Sequence, residues 1–70
     1  MKPPHERILR FMDEHGSITP MEAFSELGIT KLSTRIGEMI ESGISIKKHR
    51  EKGKNRFGEK VNYMRYTKGD

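Results

Sequence analysis

Seventy residues without a cysteine make a single domain, residues 1–70, and exclude disulfides and thiolate metal sites. Hydrophobic residues are 31% and charged residues 34% of the chain, so the core is small, and a chain this short buries only about 60% of its unfolded surface. The net charge of +4 is unevenly spread, with net −2 over residues 1–42 and net +6 over residues 43–70, which points to a polyanionic partner for the later part.

Pro3 and Pro4 open the first predicted helix, about residues 4–15. Ile8, Leu9, Phe11 and Met12 follow at helical spacing, and His15-Gly16 closes it. Ser17-Ile18 is long enough only for a brief extended bridge. The second helix covers about residues 20–27. Thr19 caps it, Pro20 fits its first turn, and Glu22 completes a capping box with Thr19. Gly28 takes the left-handed conformation that stops it. Its expected buried face is Ala23, Phe24 and Leu27.

The third helix covers about residues 31–42, with Thr30 as its cap and Gly43 as its stop. Its apolar stripe is Leu32, Ile36, Met39 and Ile40. Gly37 inside it costs about 1 kcal/mol relative to Ala. It either permits close approach to the first helix or to a partner, or is simply tolerated. Two helices joined by so tight a turn cross steeply. That is the helix-turn-helix unit, whose second helix can lie in the DNA major groove.

After Gly43 the pattern changes. Ile44-Ser-Ile-Lys-Lys-His-Arg50 and Val61-Asn-Tyr-Met-Arg-Tyr-Thr67 both read as strands. Gly53 and Gly58 bracket a basic loop of Lys54, Asn55, Arg56 and Phe57 between them. The pair forms a hairpin wing over about residues 44–67. Ile44 and Ile46 cover the helical core, together with one face of the last strand. That face is either Met64 with Tyr66 or Val61 with Tyr63. The first is favoured, leaving Tyr63 and Arg65 outward. The fold class is α+β: a winged helix-turn-helix, three helices followed by a two-stranded β-hairpin wing.

Leu27-Gly-Ile-Thr-Lys-Leu-Ser-Thr-Arg-Ile36, Glu41-Ser-Gly-Ile-Ser-Ile46, Asn55-Arg-Phe-Gly-Glu-Lys-Val61 and Arg65-Tyr66 together resemble the small winged helix-turn-helix proteins of bacteriophages and prophages. The resemblance spans about residues 6–67 and implies a DNA-binding fold. It departs from the family pattern at Gly37, where a bulkier residue is usual.

Recognition helices present their first turns to base edges. Lys31, Thr34 and Arg35 are therefore the first candidates for base readout. Arg or Lys suits guanine O6 and N7, and the Thr methyl suits thymine. Thr30 and Ser33 can bond phosphate or base, although Thr30 is at least as well explained as a cap and Ser33 as surface. Glu38 can accept from cytosine N4, although a carboxylate near phosphates is more often repulsive, and Arg35 can pair with either Glu38 or Glu41. In the wing, Lys52, Lys54 and Arg56 surround the tip, and Lys47, Lys48, Arg50 and Lys60 line the strands. Asn55 is expected to build the turn. Phe57 either packs back against the hairpin, or contacts sugars or wedges a base step, and packing is preferred.

No catalytic, cofactor or metal constellation stands out. His5, His15 and His49 have no helical i, i+4 spacing, and the glycines do not form a phosphate loop. No apolar run reaches the roughly 20 residues of a membrane span, and no signal-peptide core follows Met1-Lys2. The expected partner is double-stranded DNA and the expected location the bacterial cytoplasm, at the nucleoid. Self-association on DNA, or a host or phage protein partner, stays open. The rival reading is a protein-interaction module whose basic wing meets an acidic surface. RNA is a weaker option, because only Phe57 and Tyr63 are candidates for stacking on bases.

Overall fold

The computed structural model describes residues 2–69. Helix α1 spans Pro3–His15, α2 Pro20–Leu27 and α3 Leu32–Glu41, followed by strands β1, Ile46–Lys54, and β2, Lys60–Lys68. The three helices and the antiparallel hairpin are those expected from the sequence.

Local chemistry sets the helix ends. Gly16 ends α1 at φ 85°, and its N–H donates to Met12 O at 2.7 Å. In α2 the capping box is complete: Thr19 Oγ1 accepts from Glu22 N–H, and Glu22 Oε1 accepts from Thr19 N–H at 3.0 Å. The expected cap of α3 is not found. Lys31, not Thr30, occupies the cap position, and its side chain makes no cap bond. Helix α3 thus begins one residue late, at Leu32, and ends at Glu41. Gly43 stops it at φ 100°, while Ile44 N–H donates back to Met39 O at 3.0 Å.

The core holds Ile8, Phe11, Met12, Ile18, Ala23, Leu32, Ile36, Met39 and Tyr66. Leu9, Leu27, Ile29, Ile44, Ile46 and Met64 pack around it. Two apolar residues expected inside face water instead. Phe24 is 62% exposed, because an eight-residue helix offers the core a narrow stripe, which Ala23 and the half-buried Leu27 fill. Ile40 is 38% exposed, at the edge of the stripe that Leu32, Ile36 and Met39 occupy.

The short bridge at Ile18 is a third strand of one residue. Ile18 N–H donates to Tyr66 O, and Tyr66 N–H donates to Ile18 O, both at 2.9 Å. The sheet therefore runs Ile18, β2, β1, with β1 on the open edge. This pairing puts Tyr66 into the core with Met64 against it, the favoured face of the last strand. Burial pushes the Tyr66 phenol above its ordinary pKa.

Tyr63 and Arg65 are not simply outward: both are half-buried. Arg65 donates to Glu51 Oε1 at 2.9 Å and to Ser17 Oγ at 2.8 Å, and lies 3.8 Å from Glu22. It stitches the hairpin to the helices. Gly53 lies inside β1 rather than in the loop. A Cβ there would sit 3.3 Å from Tyr63 Cε1, so the glycine makes room for the ring across the ladder.

The wing's turn is shifted from the one the glycines bracket and covers residues 55–59. Asn55 builds it as expected, its Oδ1 accepting from the N–H groups of Phe57 at 2.9 Å and Glu59 at 3.1 Å. Gly58 takes φ 79°. This tight turn aims Phe57 away from the strands, leaving it 78% exposed rather than packed on the hairpin.

Candidate nucleic-acid interface

In the hairpin, Ile46 pairs with Lys68 and Lys54 with Lys60, without a break in register. Alternate residues share a face. Lys48, Arg50, Lys52 and Lys54 of β1 therefore lie on the same face as Lys60 of β2. All five are exposed. That face of the two strands carries no acidic residue. Among the described residues, no ion pair engages these five cations or Arg56 at the tip. Lys47 falls on the opposite face, with His49 and Glu51. There Glu51 is matched by Arg65, whose hydrogen bond holds the Glu51 carboxyl below the usual carboxylate range. Most of the wing's unpaired charge is thus on one side, with Lys47 alone of the strand lysines on the other.

Helix α3 divides into three strips at about 100° per residue. Leu32, Ile36 and Met39 face the core. Ser33, Thr34, Gly37 and Glu41 lie on the outward side, where Ser33, Thr34 and Glu41 are exposed. Nothing comes within 4 Å of a Cβ added at Gly37, so this glycine does not serve contact with α1. Thr30 and Lys31 are exposed in the turn just ahead of the helix.

Arg35 lies on the flank. Its guanidinium donates to Glu38 Oε1 at 3.1 Å, and His5, buried at the start of α1, shares the same oxygen through Nε2 at 2.9 Å. Hydrogen bonds from His5, and secondarily from Arg35, hold the Glu38 carboxyl below its ordinary pKa. Glu38 thus locks α3 to α1. The i, i+3 spacing offers the pairing with Arg35 as one alternative, but nothing in the sequence offers His5. No local spacing signals that contact, because the residues lie on different helices.

An open cleft of about 800 Å³ separates the start of α2 from the opposite face of the wing, with Met21, Val61 and Tyr63 among its walls. Among the described residues, no group of three or more His, Asp or Glu side chains gathers to hold a metal. Among the described residues, no helix is long and apolar enough to cross a membrane.

Residues 5–67 match the family model described as a winged helix-turn-helix domain. No curated protein and no solved structure matches the chain.

Proposed function

The chain belongs to the winged helix-turn-helix family, and from that premise we propose that it binds double-stranded DNA sequence-specifically, with α3 in the major groove and the wing on the backbone or minor groove. One observation carries this reading. The hairpin register gathers Lys48, Arg50, Lys52, Lys54 and Lys60 on one unneutralised face, with Arg56 at the tip. Such a strip attracts phosphates and releases their counterions. Helix α3 with its preceding turn carries only Lys31 and Arg35 against Glu38 and Glu41, so it suits readout better than attraction. Thr30, Lys31, Ser33, Thr34 and Arg35 are the proposed readers at its start. Arg35 reads a base only by leaving Glu38.

The biological role we favour is that of a phage or prophage transcriptional regulator, or of an excisionase-like architectural factor, acting by occupancy at the bacterial nucleoid. One observation favours a second reading, a protein-interaction module. Met21, 78% exposed, and Phe24 share an uncovered face of α2. A gel shift with excess nonspecific competitor separates the two. A complex that survives competitor on a distinct site supports DNA recognition. No DNA binding at low salt, with a stable protein complex in its place, supports the alternative.

A further inference from the structure

The tip of the wing carries one large apolar side chain that nothing in the fold covers. Phe57 projects from a turn held by the two bonds to Asn55 Oδ1 and by two backbone bonds, Asn55 N–H to Glu59 O and Gly58 N–H to Asn55 O, both 3.0 Å. The ring is therefore presented from a fixed backbone, and little freedom remains to be lost on binding. Lys54, Arg56 and Lys60 surround it with no ion-pair partner among the described residues. The tip's one carboxylate, Glu59, accepts from Asn55 Nδ2 at 3.2 Å.

A tip that met only phosphates would gain nothing from an exposed phenyl ring. An apolar ring among free cations fits a different task. It can enter between stacked bases while the cations hold the phosphates on either side. The reach is adequate. From Lys48, level with buried Tyr66, seven strand steps of about 3.3 Å carry the turn about 23 Å out. Half a turn of DNA, from the major groove to the neighbouring minor groove, is about 17 Å.

We infer that Phe57 is a wedge that opens one base step in the minor groove beside the α3 site. The protein therefore prefers a flexible pyrimidine–purine step at that position, although no hydrogen bond reads it. This rests on the DNA-binding reading above.

The test uses the full chain and a short G·C-rich duplex with one central TpA step, 2-aminopurine replacing its adenine, and donor and acceptor dyes at the ends. The wild-type protein is expected to raise the 2-aminopurine signal at least twofold and to bring the ends closer. Phe57→Ala is expected to bind the duplex at low salt while losing both signals, and Phe57→Leu to keep part of each. Wild-type binding without either signal overturns the wedge and leaves DNA binding standing, as does a Phe57→Ala variant that keeps both. No binding to the duplex at low salt overturns both proposals. Phe57-dependent binding to anionic phosphatidylserine vesicles, without base unstacking, overturns the wedge in favour of a lipid surface.

Discussion

Lys48 stands directly opposite Tyr66 across the hairpin, yet Tyr66 is buried and Lys48 is exposed. The edge of the core runs between these two residues. The helices cover Ile18 and the base of β2, and of β1 it is Ile46 that packs against the core. One sheet face is therefore apolar on β2, at Met64 and Tyr66, and cationic on β1, at Lys48, Arg50 and Lys52.

Salt is the first test of that strip. Removing one side chain that neutralises a phosphate lowers the slope of log K against log salt by about 0.9. The double variant Lys54→Gln with Arg56→Gln is expected to bind every sequence more weakly and to flatten the slope by up to about 1.8. Gel shifts across a salt series measure it. An unchanged slope means that the tip does not touch the backbone.

Gly37 separates stability from binding. A Cβ there meets nothing, and alanine is the better helix former, so Gly37→Ala is expected to stabilise the fold by up to about 1 kcal/mol. The same methyl lies on the outward side of α3 and is expected to weaken DNA binding. Thermal melting and a gel shift on one preparation check both. Higher stability with unchanged affinity moves the DNA off this side of α3.

Arg35→Ala is expected to change the preferred base at one position of a selected site, at about 1–3 kcal/mol of discrimination. Selection from random duplexes with both proteins decides it. Identical preferred sites would strike Arg35 from the readers and leave it as the partner of Glu38 alone.

Acid is expected to loosen the fold. Glu38 and Glu51 both have folded pKa values below 4.5, the first through His5 and Arg35, the second through Arg65. The folded state thus binds their protons less readily than the unfolded chain. Their contribution is fully present above about pH 4.5 and is lost as pH falls through the folded values. The thermal midpoint should drop in that window, and Glu38→Gln and Glu51→Gln should each remove part of the drop. Parallel curves for all three proteins would contradict this account.

Core and surface apolar residues should part company in urea. Met39→Ala or Ile36→Ala is expected to cost about 2–5 kcal/mol. A domain of this size has a total stability of roughly 4–10 kcal/mol, so these variants are marginal. Met21→Ser and Phe24→Ser are expected to stay within about 0.5 kcal/mol of the wild type. A large loss at Phe24 would mean that α2 packs differently.

Much of this architecture is legible in the chain because it is local. Thr19 with Glu22, Gly16, Gly28 and Asn55 act within four residues of themselves. The alternation Lys48, Arg50, Lys52, Lys54 carries its own strand period. What stays illegible depends on distant partners. Apolar pairs lie on both faces of β2, and the backbone bonds with Ile18 decide between them. Arg65 has the spacing of an outward residue, but Ser17, Glu22 and Glu51 converge on its side. Phe24 has the spacing of a core residue, yet Ala23 and Leu27 already fill the narrow contact. Spacing alone brings Lys31, Thr34 and Arg35 to the start of one helix. It does not reveal that Arg35 is tied to Glu38.

The backbone bonds between Ile18 and Tyr66 also impose an order on synthesis. A ribosome delivers Ile18 long before Tyr66, and a free two-stranded hairpin is marginal in water. The nascent helices wait with an open apolar floor until the last strand docks. One late event then closes the core and erects the cationic strand together. A chain stalled before residue 66 carries α3 without the strand that pairs with Ile18 and completes the core.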